Sequence, residues 1–205
     1  MNEIIASSSA ETSLSPTLAE MKRGTWGMWS FLASDAMTFA ALMTSAGLLR
    51  AQSQDWPAAA TVFNLWTALV MTALLLVSSG LLVTALSAIK RNDHTCFRNF
   101  LLATILCGAA FVVLQGLEWR ELLAQGMTLT ENPWGAGLFG ATFYVLTGFH
   151  GVHVLGGVVY LTGIFVKGRQ GGYHANNYAA VEIAGLYWHF VDVVWVFVFF
   201  FVYVI

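Results

Sequence analysis

His189 and Asp192 stand three positions apart in Trp188-His189-Phe190-Val191-Asp192-Val193-Val194-Trp195. On an α-helix that spacing places an imidazole and a carboxyl on one face. A carboxyl so placed can fix a histidine tautomer or share its proton. Two readings follow: a proton relay, or a buried pair that anchors its helix to neighbours. Trp188, Asp192 and Trp195 share a narrow arc, because steps of four and seven nearly close whole turns. His150 and His153 repeat the spacing within Thr147-Gly148-Phe149-His150-Gly151-Val152-His153-Val154-Leu155-Gly156-Gly157. They suit a ligand pair or a lipid headgroup site, or hydrogen bonds to adjacent helices. Glycines 148, 151, 156 and 157 would let another backbone come close. Asp35 follows Ser34 inside an otherwise uncharged run. A lone carboxyl there is expected to be protonated or hydrogen-bonded to a histidine from another helix, and open to hydrophobic carboxyl reagents. Gln115 and Glu118 share a face beside Trp119, where they could meet water or lipid headgroups.

A redox centre is a further possibility for this set of residues. A b-type haem needs two axial histidines on facing helices, and His150 or His153 with His189 would serve on paper. A histidine-box di-iron site needs many clustered histidines, whereas the chain has five, with His94 and His174 in loops. Copper would want soft sulfur ligands, and neither Cys96 nor Cys107 is near a histidine of the predicted bundle. The two cysteines have no metal-ligand spacing and read as packing residues, not a disulfide.

The elements that must position these groups are membrane helices. Of 205 residues, 58% are hydrophobic and 10% charged, with a mean hydropathy of +0.69. A soluble domain carries about 25% charged residues, so too little charge remains here to cover a water-facing surface. The net charge of −2 and the scattered Lys and Arg exclude a nucleic-acid-binding stripe. A hydrocarbon layer of about 30 Å calls for roughly 20 apolar residues per helix. Five segments qualify: Trp26 to Leu49, a stretch within Trp56–Ile89, Asn99–Leu117, a stretch within Asn132–Val166, and Ile183 to Ile205. These long unbroken runs favour helices over the short alternating strands of a barrel. The expected fold is all-α: a polytopic bundle of five transmembrane helices spanning residues 23–205, preceded by a disordered tail over 1–22. The tail lacks the basic and apolar regions of a signal peptide, so the first span would be the uncleaved targeting signal.

Loop charge sets the expected orientation. Lys22, Arg23, Lys90, Arg91, Arg98, Lys167 and Arg169 fall on one side, and only Arg50 and Arg120 on the other. The positive-inside rule then makes the N-terminus cytoplasmic and the C-terminus external. Trp26, Trp29, Trp56 and Trp134 sit near span ends, as interfacial aromatics do. Gly171-Gly172 marks a turn in a loop, and no internal repeat of the transporter kind is present. At 1.5 Å per residue, Asp35, His150, His153, His189 and Asp192 fall in the central or inner half of the bilayer. One polar layer linking the first, fourth and fifth spans is therefore expected. Gln115 and Glu118 would lie near the outer end of the third.

With these residues in view, Tyr187-Trp188-His189-Phe190-Val191-Asp192-Val193-Val194-Trp195 closely resembles the last-helix signature of subunit III of haem–copper respiratory oxidases, the cytochrome c oxidases and bo-type quinol oxidases. Gly148–Val154 is similar to the family's penultimate-helix motif. Gln115, Glu118 and Trp119 resemble its Gln-x-x-Glu-aromatic element, and Ser34-Asp35 sits where it has Ser-Glu or Ser-Asp. The likeness runs from about residue 24 to 205 and fits the family's short, five-helix form. It implies an accessory subunit without an active site of its own, in a complex that reduces oxygen to water and pumps protons across a prokaryotic cell membrane. It implies that haem and copper belong to partner subunits, chiefly the catalytic subunit I with subunit II and small subunits, and that phospholipid binds between the helices. By the same likeness, Asp35 takes the place of a reagent-sensitive carboxyl. Gln115, Glu118, His150, His153, Trp188, His189, Asp192 and Trp195 take interhelical polar or lipid-contact positions. The alternatives are an accessory subunit of a nitric oxide reductase, a self-contained b-type cytochrome, and a small proton-coupled transporter.

Overall fold

The computed structural model describes residues 16–205, with side chains from Arg23 onward. Residues 1–15 of the expected tail lie outside this range, and the first helix already covers positions 16–22. The helices are α1 (Pro16–Gln52), a single turn α2 (Ala59–Val62), α3 (Leu65–Lys90), α4 (His94–Ala124), α5 (Phe139–Arg169) and α6 (Ala179–Phe199). A π-helical turn, Phe200–Val204, continues α6. Among the described residues there is no β-strand, only an isolated bridge between His174 and Asn177. Among the described residues, five helices are long and apolar enough to cross a membrane.

Large apolar side chains lie on the surface as well as in the interior. Trp188, Trp195, Phe97, Phe111 and Phe143 are fully buried, yet Trp66 is 78% exposed, Trp26 and Met37 73%, and Val152 67%. A water-soluble monomer does not present contiguous apolar faces on every helix. Hydrocarbon tolerates them, provided each backbone group is bonded within its own helix. The chain is thus a multi-pass membrane protein.

α3, α4, α5 and α6 pack in a closed ring, and α3 with α4 makes the most extensive contact. α1 leans on the outside of this ring, against α6 and α5. Helix starts are fixed locally. The Asn64 side chain accepts from Trp66 N at 3.0 Å, and that of Asp93 from Cys96 N at 2.9 Å, as N-caps do. The α3–α4 turn passes through Asn92 at φ 58°, a left-handed position that asparagine tolerates. Asn92 Oδ1 then accepts from Ala175 N at 2.7 Å, and Lys90 pairs with Glu182 at 3.3 Å. Both contacts tie this turn to the segment entering α6. At the opposite end of the bundle, Ala136 N donates to Asp55 O at 3.1 Å. Gly135 has φ +133°, and a Cβ there would lie 2.3 Å from the Asp55 carbonyl oxygen. Only glycine fits that crossing.

Candidate interhelical polar site

α6 presents its chemistry inward. Trp188 and Trp195 are both about 99% buried or more, and Asp192 is 4% exposed, as their shared arc requires. The indole N–H of Trp188 donates to Ser78 Oγ at 2.9 Å, and that of Trp195 to Thr72 Oγ1 at 3.0 Å. His189, half-buried, shares a 2.6 Å hydrogen bond between Nδ1 and Ser79 Oγ. Trp188, Trp195 and His189 thus all find their polar partners on α3. Ser79 also lies beside Asp192, but neither Asp192 oxygen has a hydrogen-bond partner among the described residues.

A second contact joins α1 to α5. Asp35 Oδ1 lies 3.2 Å from His153 Nε2, and His153 Nδ1 lies 2.7 Å from the Phe149 carbonyl oxygen. A carbonyl accepts only, so Nδ1 carries a proton and Nε2 faces the carboxyl. Tyr187 of α6 donates to the His153 carbonyl oxygen at 2.9 Å, bringing a third helix to the pair. Asp35 is thus bonded to a histidine of another helix.

His150 differs from its neighbour. It is fully buried, and neither ring nitrogen has a partner among the described residues. Its imidazole packs 5.0 Å from Trp195 and 5.6 Å, edge-on, from Phe111. The single polar layer expected from the sequence is therefore divided. Asp35 and His153 tie α1 to α5, His189 ties α6 to α3, and His150 stands between them in an aromatic nest. The reason is geometric: α1 lies outside the ring, so Asp35 reaches only the outward side of α5. The two-histidine haem arrangement is not assembled either, since Trp195 and Phe111 fill the space before His150 and the other two imidazoles are turned to Asp35 and Ser79.

Gln115 and Glu118, near the Ala124 end of α4, are also buried. Gln115 Nε2 donates to the Thr147 carbonyl oxygen at 2.6 Å, and Tyr203 donates to Glu118 Oε2 at 2.7 Å. Glu118 also lines a cleft with Asn64, Thr67, Glu121 and Gln125. The four motif glycines of α5, at 148, 151, 156 and 157, face side chains, not a neighbouring backbone. A Cβ at Gly148 would stand 2.9 Å from Trp119, at Gly151 2.6 Å from Gln115 Oε1, and at Gly157 2.7 Å from Trp188. At Gly156 the nearest atom is the Tyr187 hydroxyl at 3.6 Å, an ordinary contact. Sequence reasoning passed over Ser78, Ser79, Thr72 and Tyr203. The adjacent pair Ser78-Ser79 in the middle of an uncharged span was the available signal. Among the described residues, no group of three or more His, Cys, Asp or Glu side chains is placed to hold a metal ion.

This arrangement defines a class: a five-span helical membrane protein, several of whose few buried polar side chains bond its own neighbouring helices. The sequence matches the family described as cytochrome c oxidase subunit III over residues 4–205. It is 34% identical over 180 residues to cytochrome c oxidase subunit 3 of Thermostichus vulcanus, covering 87% of this chain and 86% of that one. It is 33% identical over 177 residues to the protein of that name in Bacillus sp. strain PS3 (86% and 83% covered) and over 178 residues to that of Bacillus subtilis (86% and 84%). The chain belongs to the cytochrome c oxidase subunit III family.

Proposed function

We propose that the chain is the accessory, non-redox subunit of a proton-pumping haem–copper terminal oxidase. In this reading it stabilises the catalytic subunit, holds phospholipid, and leaves haem and copper to its partners. The observation that carries the reading is the use made of the last helix: Trp188, Trp195 and His189 are bonded to hydroxyls of α3, not arranged around a cofactor. The names of the relatives favour an oxidase over a nitric oxide reductase, and their bacterial sources favour a prokaryotic inner membrane. The loop charges favour a cytoplasmic N-terminus.

Affinity purification of the tagged chain from its native membrane tests this. The reading expects an oxygen-reducing complex with haem and copper in other subunits. A Soret band and a redox difference spectrum from the isolated chain, without those partners, would overturn it.

A further inference from the structure

His189 has one nitrogen left over. Nδ1 is taken by Ser79. Nε2 has no hydrogen-bond partner among the described residues and is not among the enclosed atoms, so it opens outward from the α3–α6 seam. His189 and Ser79 both lie close to the middle of their spans, Ala179–Val204 and Leu65–Lys90. That depth is hydrocarbon. Acyl chains offer no hydrogen bond, and lipid headgroups lie half a bilayer away. A polar atom left open there is costly, which is why ionisable groups in membrane helices face protein or water and not acyl chains.

The surrounding face suits close approach by another helix. A Cβ on Gly80, next to Ser79, would meet no atom within 4 Å. Val83 follows one turn along α3, and Val193 and Val196 continue the His189 stripe on α6; all three are exposed. Small and β-branched side chains around one hydrogen-bonding group are how membrane helices associate. The geometry points to a docking surface: the α3–α6 face receives a membrane-spanning helix of a neighbouring subunit, which brings one carboxyl, amide or hydroxyl side chain at mid-membrane depth to His189 Nε2. This rests on the accessory-subunit reading and adds to it the face that meets the partner and the chemistry that the partner carries.

The test is photo-crosslinking in the intact, purified complex, with p-benzoylphenylalanine at Val193 and, as a control, at Val152 on exposed α5. Val193 is expected to yield an adduct with a transmembrane peptide of one other subunit, at least about tenfold above Val152. His189→Leu is expected to lower that yield about tenfold, the scale of one interhelical hydrogen bond. Gly80→Leu, whose Cβ would have no atom within 4 Å, is expected to lower it as well by blocking approach, so a folding defect of the histidine variant does not decide the matter. Adducts at Val193 with lipid, quinone or detergent alone, in a complex that still holds this chain, would overturn the docking surface. A chain absent from the purified complex would instead strike down the accessory-subunit reading.

Discussion

Trp188 and Gly108 occupy a single layer of the bundle: a Cβ on Gly108 would lie 2.6 Å from the indole Cη2, and 2.8 Å from Val158. Gly157 closes the other side of the same ring at 2.7 Å. The indole is fully buried and pinned through its N–H to Ser78, so it cannot swing aside. Gly108→Ala is therefore expected to destabilise the bundle by about 1–3 kcal/mol, the usual cost of overpacking. Gly116→Ala, on the same helix with no atom within 4 Å of its added Cβ, is expected to be neutral or slightly stabilising through helix propensity. Equilibrium unfolding in mixed micelles compares the two. Equal effects would mean that the Trp188 layer yields more readily than its burial implies.

The Asp35–His153 contact makes an ordered prediction. With Nδ1–H given to the Phe149 carbonyl, Nε2 can either accept a proton from a neutral Asp35 or, as an imidazolium, donate to an ionised one. Both forms carry the same protons and no net charge, which suits hydrocarbon. Asp35→Asn keeps a donor for Nε2 and is expected to cost at most about 1 kcal/mol. Asp35→Leu strands Nε2 and is expected to cost about 1–3 kcal/mol. Docking of α1 onto α5, followed by protease protection of the α1–α3 connection or by unfolding, checks the order. A leucine variant as stable as the asparagine variant would show that the bond contributes nothing to holding α1.

Legibility in the sequence followed the physics of each feature. Hydropathy placed all five spans, because hydrocarbon imposes a length and an apolarity that are written residue by residue. It misplaced their ends, because helical hydrogen bonding continues past the hydrocarbon: α4 starts at the Asp93 cap and runs to Ala124, beyond the Leu117 limit suggested by apolarity. Glu118 lies just past that limit and Gln115 just inside it, yet each is buried against a partner, Tyr203 and Thr147. The inward arc of Trp188, Asp192 and Trp195 was legible, since periodicity fixes which residues share a face. Which helix that arc would meet was not. Serine and threonine in helices commonly bond their own backbone, and Thr72 does so to Ala68. The adjacency of Ser78 and Ser79 is a signal of polarity within the span, but it does not say that α6 is the helix that finds these hydroxyls and that of Thr72.

The Tyr203–Glu118 bond tests how this chain tolerates a carboxyl out of water. Glu118 is 8% exposed; its Oε2 accepts from the Tyr203 hydroxyl, and its Oε1 has no partner among the described residues. Tyr203 belongs to the π-helical end of α6, stacks on Phe199 and lies tilted against Phe63; two residues on, the carbonyl oxygen of Ile205 accepts from Arg50. The bond thus closes α4 onto the end of α6 at the point where α1 also reaches it. Tyr203→Phe leaves the carboxyl without any donor and is expected to cost about 1–3 kcal/mol, the penalty of an unsatisfied buried group. Glu118→Leu alone strands the phenol O–H and is expected to cost a similar amount. Replacing both at once removes the polar demand from each side while keeping most of the packing, so Glu118→Leu/Tyr203→Phe is expected to be more stable than either single variant. A double-mutant cycle on reversible unfolding reads the sign directly. Simple additivity would mean that the two groups do not depend on each other, and that Glu118 draws its stabilisation from the water-facing cleft it shares with Asn64 and Glu121.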